Sequence, residues 1–295
     1  MDKETAVQSL TDTMAKFTSY IGKRLPKDVK AKLADLRTME TNPLAKSIYD
    51  SMAGNQEAAD KLDRPSCQDT GVIQYFISAG SNFPLIGELE EVLRNATLGA
   101  TKMGPLRHNA VETFDEKNTG TNTGTQIPWL DWRIVPGEDT CTIDVYMAGG
   151  GCTLPGAAKV LMPGQGYEGV AEFVMDVITQ RGVNACPPLL VGVGVSTSVE
   201  TAARLSKLAI LRPVDSKSSN ANAALMEELL EQGLNEIGIG PQGLTGNSSV
   251  MGVNIESSAR HPSTIGVAVN TGCWAHRRGK IRINPDMSYE IISHE

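Results

Sequence analysis

Residues 64–78 read RPSCQDTGVIQYFIS, and at this segment helical sequence gives way to β-rich sequence. Before it, apolar residues recur at the spacing of amphipathic helices, interrupted by Pro26 and Pro43. These apolar positions are Val7, Leu10, Met14, Phe17, Ile21, Val29, Leu33 and Leu36. After it come short β-rich runs such as WLDWRIV and TCTIDVYM, separated by glycine-rich bends. The pattern predicts an α+β fold, with a helical part over residues 1–63 followed by a mixed, largely antiparallel sheet body. No obvious linker interrupts the chain, so a single domain over residues 1–295 is expected.

Composition limits the classes of function. The chain has 295 residues, 40% of them hydrophobic, which is enough for a substantial core, and its formal net charge is −7. Because the charge is acidic and spread along the chain, we expect no nucleic-acid partner and favour a metabolite or a protein. The sequence contains no apolar run of membrane-spanning length and no signal-peptide pattern, which predicts a cytoplasmic protein without membrane contact.

The cysteines are predicted to be reduced thiols. Their number is five, which is odd, and the chain is far larger than the small secreted proteins that depend on disulfides. In TCTIDVYM, Cys141 alternates with Ile143 and Val145 along one face of a strand. Cys141 is therefore predicted to be a core residue.

Cys67, Cys186 and Cys273 share a different setting, since each lies at a bend rich in Pro, Gly, Asn or Thr. Bends present thiolates outward and leave backbone amides available to hydrogen-bond sulfur, as metal clusters require. The three are far apart in sequence and form no CxxC pair, so spacing leaves open whether they converge on a metal or are unrelated buried thiols. Cys152, in GGGCTLPG, is a fourth candidate.

Several polar residues would suit a metal-assisted reaction on a carboxylate substrate. If three thiolates hold a four-iron cluster, one iron lacks a protein ligand and can act as a Lewis acid. Arg107 in PLRHNAVE and the amides of the triple glycine in MAGGGCTLPG could bind carboxylates, and His261 in SARHPS could carry a proton. Gln68 and Asp69 follow Cys67 directly. Each also has a structural interpretation: a surface cation, a plain turn, a loop histidine or a turn acceptor.

Three further segments receive predictions. His276, Arg277 and Arg278 are interpreted as a solvated basic cluster or an interface. Thr197 and Glu200 fit a capping box at the start of a helix. The glycines of LLVGVGV lack both a third fingerprint glycine and a Walker lysine, so we explain them by tight packing of a strand rather than by a nucleotide site.

Taken in order, the motifs resemble a known family. They are RPSCQDTG, PLRHNAVE, NTGTNTG, VYMAGGGCTLPG, NACPPLLVGVG, GIGPQGLTGNSSVMGV, ARHPSTIGVAV and TGCWAHRRG. Together they resemble the class I, iron–sulfur-dependent fumarases, from the N-terminal helices to about Arg278. The resemblance implies a 4Fe–4S cluster held by Cys67, Cys186 and Cys273, with Cys141 and Cys152 outside it.

The resemblance also implies roles for the polar residues. Gln68, Arg107 and Gly150 would bind substrate, and Asp69 and His261 would act in catalysis. Together with the cluster, they imply a hydro-lyase acting on a small hydroxy-dicarboxylate, L(+)-tartrate by preference and fumarate as the alternative. A non-catalytic iron–sulfur protein and a metal-free structural subunit are further alternatives.

The chain departs from the single-chain members of this family in its length. Those members continue into a C-terminal domain that completes the active site, whereas this sequence stops shortly after Cys273. By similarity, a separate beta subunit would supply the missing half of the pocket, including the general base. The expected assembly is α2β2.

Overall fold

Three helices open the described chain, as the sequence predicts. The computed structural model describes residues 2–294. In α1 (Lys3–Lys23) the Asp2 side chain caps the first turn by accepting a hydrogen bond from the Thr5 amide at 2.9 Å. The helices α2 (Lys27–Met39) and α3 (Pro43–Leu62) follow. The predicted helical part is confirmed.

The remaining elements alternate between strands and helices. In chain order they are β1 (Val72–Gly80), α4 (Leu89–Met103), β2 (Val111–Glu112), β3 (Lys117–Asn118), β4 (Trp129–Val135), β5 (Cys141–Ala148), α5 (Gly150–Thr153), β6 (Ala157–Leu161), α6 (Gly166–Arg181), β7 (Leu189–Ser196), α7 (Val199–Leu211), α8 (Ala221–Glu236), β8 (Val250–Ser257), β9 (Ile265–Gly272), β10 (Arg278–Ile283) and β11 (Tyr289–Ile291). Among residues 2–294, no helix has the length and apolar character needed to cross a bilayer.

These elements form two compact units. Unit 1 contains the residues up to 27, residues 55–149 and the residues from 277 onward, and unit 2 contains residues 28–54 and 150–276. The prediction that they constitute a single domain stays a prediction.

Unit 1 is built on a five-stranded sheet in the order β11-β10-β5-β1-β4. Alternate residues of β1 and β5, such as Tyr75 and Val145, face a buried core shared with α1 and α4. Cys141 lies in this core with 0% exposure, and burial raises the pKa of its thiol to about 12. The prediction of a core cysteine is confirmed.

Unit 2 is built on a four-stranded sheet in the order β6-β9-β7-β8. A side chain at Gly192 or Gly194 of β7 would collide with the backbone of α7, so these glycines allow the helix to pack closely on the strand. The packing explanation of LLVGVGV is thereby supported. The predicted capping box is wrong, because Ser198 occupies the N-cap position of α7 without a side-chain capping hydrogen bond, and its hydroxyl donates instead to the Glu200 carboxylate at 2.6 Å.

The sheets confirm the predicted α+β class. Within the described chain, β1 and β4 pair in parallel, as do β7 and β8, while the other paired strands are antiparallel. The strands are therefore mixed and largely antiparallel, and they follow the N-terminal helices as expected.

Candidate active site

The bend that carries Cys67 lies at one end of the sheet in unit 1, immediately before β1. The Cys67 side chain is partly exposed, with its Sγ 3.7 Å from Oε1 of the exposed Gln68. Oδ1 of Asp69 accepts a hydrogen bond from the Gly71 amide at 3.0 Å, which closes a turn. Gly71 has φ +80°, a conformation that favours glycine, and Val72 then pairs with Ala148 at the start of β1. The turn therefore positions the cysteine and its two polar neighbours at this end of the sheet.

The PLRHNAVE segment is hydrogen-bonded to that bend. The Arg107 amide donates to Oγ1 of the buried Thr70 at 3.0 Å. Nδ2 of Asn109 donates to Oδ1 of Asp69 at 3.3 Å and to the Gly71 carbonyl at 3.2 Å. Because the Arg107 side chain is exposed, its guanidinium is accessible to a ligand. The structure thus brings the segments of Gln68, Asp69 and Arg107 together within unit 1.

The NTGTNTG loop is hydrogen-bonded to the PLRHNAVE segment. Oδ1 of Asn122 accepts from the Asn109 amide at 3.0 Å, and its Nδ2 donates to Oγ1 of Thr101 at 3.1 Å. Asn122 is buried with 1% exposure, so its side chain is a fixed internal anchor. Nδ2 of the exposed Asn118 holds the His108 carbonyl at 2.9 Å. Sequence reasoning named neither Asn109 nor Asn122, although both lie in motifs that carried the resemblance.

In unit 2, the segments of Cys186 and Cys273 are adjacent. Cys186 is exposed and has φ +56°, and its carbonyl accepts a hydrogen bond from the Trp274 amide at 3.1 Å. Cys273 is partly exposed and directly follows the last residue of β9. The next residue after Cys186 is held as well, since the Pro187 carbonyl accepts from the Gln242 amide at 2.9 Å.

The five cysteines fall into two groups by exposure. Cys141 and Cys152 are buried, whereas the three that the resemblance assigns to a cluster are all at least partly exposed and lie on bends. Thiols on irregular backbone are the ligands that iron–sulfur clusters use, so the three residues fit such a group by their chemistry. Over residues 2–294, no three His, Cys, Asp or Glu side chains are grouped to hold a single metal ion.

The glycine loop that contains Gly150 is hydrogen-bonded to the sheet of unit 2. Gly150 is the first residue of α5, and its carbonyl accepts from the Leu154 amide at 3.1 Å. The Cys152 carbonyl accepts a short hydrogen bond of 2.6 Å from Oγ1 of Thr271 on β9. This loop is therefore held in place within its unit by main-chain and side-chain hydrogen bonds.

His261 is exposed on the loop between β8 and β9. Its amide donates to Oγ1 of Thr197 at 3.1 Å, which anchors the loop to the segment before α7. Its Nδ1 accepts from the Ser263 amide at 3.1 Å. This hydrogen bond assigns the proton of the neutral ring to Nε2, so the exposed side of the imidazole can donate a proton.

The predicted solvated basic cluster is wrong. His276, Arg277 and Arg278 are 1%, 2% and 5% exposed. Nε2 of His276 lies 2.8 Å from the Ile210 carbonyl in unit 2, and Arg278 begins β10 in unit 1. Local charge density suggested a hydrated surface, whereas Arg278 begins a strand that lies inside its sheet, between β5 and β11, and His276 and Arg277 directly precede that strand.

Lys207 is a polar residue that sequence reasoning missed. It lies on α7 and is half-buried, and desolvation lowers its pKa to about 8, while a charged Cys152 thiolate would act in the opposite direction. Lys207 therefore lies electrostatically close to the glycine loop within unit 2. Its position on an amphipathic helix gave no sequence signal, because lysine at such positions is usually solvated.

Comparisons with known proteins show the family to which this chain belongs. The fumarate hydratase (Fumerase) family model matches residues 11–282, and the chain belongs to that family. It is 60% identical over 293 residues to the L(+)-tartrate dehydratase subunit alpha of Escherichia coli strain UTI89, covering 99% of this chain and 97% of the relative. The corresponding subunit of E. coli strain K12 is 59% identical over the same length. A putative L(+)-tartrate dehydratase subunit alpha of Methanocaldococcus jannaschii is 32% identical over 265 residues, 89% of this chain and 93% of the relative.

Proposed function

We propose that this chain is the alpha subunit of an L(+)-tartrate dehydratase, a hydro-lyase that removes water from L-tartrate to give the enol of oxaloacetate. The proposal rests on relatives of that name that are about 60% identical over nearly the whole chain. The observation that carries it is the bend of Cys67, Gln68 and Asp69, which is held by Asn109 and bonded through Thr70 to the amide of Arg107, a residue with an exposed side chain. This is an arrangement for binding a carboxylate beside a thiolate ligand.

The cofactor of this proposal is a 4Fe–4S cluster with Cys67, Cys186 and Cys273 as its protein ligands. Such a cluster, with three protein ligands, supplies an iron with an open coordination position, a Lewis acid for a substrate oxygen. Support comes from the exposure of these three thiols on bends, in contrast to the buried Cys141 and Cys152.

In this proposal, the chain's own residues bind and orient the substrate. Arg107 pairs its guanidinium with one carboxylate, and the Gln68 amide and the Gly150 backbone provide further hydrogen bonds. Asp69 is oriented by Asn109, and His261 offers a proton at Nε2. Elimination needs one proton removed from carbon and one proton delivered to the leaving hydroxyl, so that hydroxide departs as water. We assign Asp69 and His261 to act on the leaving hydroxyl: they either orient it or deliver the proton with which it departs.

The base that removes the carbon-bound proton is assigned to a beta subunit. The relatives are named as alpha subunits, which implies a second kind of subunit for those enzymes. For this chain we propose an α2β2 assembly in the cytoplasm, with the beta subunit completing the pocket. This chain alone is then expected to show little or no activity.

One anaerobic assay tests the proposal. Oxaloacetate formation from L-tartrate and hydration of fumarate are measured side by side, with this chain alone and with its beta subunit. Turnover of tartrate only in the presence of the beta subunit is the expected result. The family name favours fumarate as the second candidate substrate, and a higher kcat/KM for fumarate would assign the chain to a two-subunit fumarase. Inactivity of the assembled complex on both substrates would refute the catalytic proposal.

A further inference from the structure

Arg277 carries a buried guanidinium that is only partly hydrogen-bonded. It is 2% exposed and is the largest of the fully buried side chains of the described chain. Two of its nitrogens, Nε and Nη1, have no hydrogen-bond acceptor among residues 2–294. Burying a charge is costly unless it is paired and hydrogen-bonded, so a buried arginine with two unsatisfied nitrogens is suited to bind an anionic group.

Two neighbouring cations of the same strand, Lys280 and Arg278, interact electrostatically with a carboxylate. Lys280 lies opposite Asp144 in the β10/β5 ladder, and its Nζ is 3.4 Å from Oδ1 of that carboxylate. Burial raises the pKa of Asp144, while the charges of Lys280 and Arg278 act to lower it. Asp144 therefore pairs with Lys280 and also feels the charge of Arg278.

Arg277 lies on the other face of that ladder. The Met147 amide donates to the Arg277 carbonyl at 3.1 Å, which extends the pairing by one residue beyond Arg278 and Tyr146. Because side chains alternate along a strand, Arg277 points away from the face that carries Arg278 and Asp144. Its charge is not balanced by the carboxylate that balances its neighbours.

The backbone of Arg277 lies at the same end of the unit 1 sheet as the bend that carries Cys67. A Cβ added at Gly71 would be 2.8 Å from the carbonyl carbons of Met147 and Ala148, so the bend touches the same end of β5 that Arg277 pairs with. In the sheet order, β1 and β10 flank β5 on either side. Neighbouring strands are about 4.8 Å apart, which puts the start of β1 and the start of β10 roughly 10 Å from each other. Both segments therefore lie at one end of the unit 1 sheet.

We propose that the Arg277 guanidinium is the cation that compensates the negative charge of the Cys67 thiolate and of the cluster that Cys67 would ligate. This inference rests on the proposed function, and its structural ground is that Arg277 and Cys67 lie at the same end of the unit 1 sheet. A substrate carboxylate must exchange with solvent, whereas a side chain with 2% exposure suits an anion that stays bound. A positive charge next to a cluster favours its more reduced, more negative state and helps to retain it.

The test compares Arg277→Met, Arg277→Lys and the matched control Arg282→Met. Arg282 lies on the same strand, but its side chain is 52% exposed and 3.7 Å from Glu290. The full chain is prepared with its beta subunit, loaded anaerobically and assayed for iron and sulfide. The loss of iron to a ferrous chelator, the reduction potential by EPR-monitored titration, and the Tm of the cluster-free and loaded chains are then measured.

We expect Arg277→Met to lose its cluster about 10- to 100-fold faster than the wild type, the range seen for groups around a metal site. Its reduction potential is expected to be more negative, because a positive charge has been removed. The Tm of the cluster-free chain is expected to stay equal or rise, since an uncompensated buried charge is gone. Arg277→Lys, which keeps the charge, is expected to fall between Arg277→Met and the wild type, and Arg282→Met to match the wild type.

Two results would overturn the inference while leaving the proposed function intact. Equal losses of Tm in the cluster-free and loaded chains would make Arg277 a packing residue. An unchanged cluster with a raised KM for tartrate would make its guanidinium a substrate ligand. A wild-type complex that binds neither iron nor sulfide would instead refute the proposed cofactor, and the role of Arg277 with it.

Discussion

Replacing Asn109 by alanine tests whether the site is assembled as the hydrogen bonds indicate. The change removes the Nδ2 donor to Oδ1 of Asp69 at 3.3 Å and to the Gly71 carbonyl at 3.2 Å, and leaves the Asn109 amide bonded to Asn122. A neutral hydrogen bond contributes about 1 kcal/mol and one to a charged group about 1.5–3 kcal/mol. Both distances are long and the site is half-buried, so water would replace part of the loss. We therefore expect a loss of about 2 kcal/mol in the free energy of unfolding, or roughly 30-fold in the folding equilibrium.

The assay pairs urea unfolding of this chain with steady-state kinetics of the assembled complex. Because Asp69 would lose its orienting donor, kcat is expected to fall more than KM rises. Asn118→Ala is the matched control, since it also removes two side-chain hydrogen bonds, from Nδ2 to the His108 carbonyl and from the Gly120 amide to Oδ1, but at an exposed residue that does not contact Asp69 through them. It is expected to cost about 0.5 kcal/mol or less. If Asn109→Ala were as stable and as active as Asn118→Ala, the hydrogen bonds of Asn109 would not organise the site.

Further predictions concern the thiols, oxygen and Lys207. Cys67→Ser, Cys186→Ser and Cys273→Ser are each expected to abolish the cluster in an iron and sulfide assay, and an intact, active Cys186→Ser enzyme would contradict that ligand set. Cys141→Ser is expected to lower the free energy of unfolding by about 1–3 kcal/mol and to leave iron content unchanged, because a hydroxyl would be buried in an apolar core. Activity is expected to fall in air and to return with ferrous iron and a thiol, whereas an iron-free, air-exposed sample as fast as an anaerobic one would refute the cluster. The pKa of Lys207 is lowered from 10.5 to about 8, so between these values the unfolded chain binds the extra proton and stability rises with pH. The unfolding midpoints of the wild type and of Lys207→Met are measured from pH 7 to pH 10.5. The midpoint of the wild type should rise with pH relative to that of Lys207→Met, and midpoints that change with pH in the same way would contradict the prediction.

Much of the local structure follows from the sequence, because it depends on short-range periodicity. Helical spacing from Val7 to Ile21 predicts α1, and strict alternation in TCTIDVYM predicts β5 with Cys141 in the core, as observed. The start of α7 was predicted wrongly, since Thr197 and Glu200 have the spacing of a capping box but Ser198 occupies the N-cap position. Adjacent hydroxyl residues compete for such positions, and the path of the incoming chain decides between them.

The sequence alone determined the fold class, the motifs that place the chain in its family and the contrast between Cys141 and the cysteines at bends. Only the tertiary structure decided that Asn109 holds Asp69 and that Arg277 is buried with two of its guanidinium nitrogens unsatisfied. The physical reason is that periodicity reports which face of an element is apolar, whereas the burial of a polar group depends on what packs against it from distant parts of the chain. Arg277 pairs through its carbonyl with Met147, far away in sequence, and no local pattern encodes that pairing.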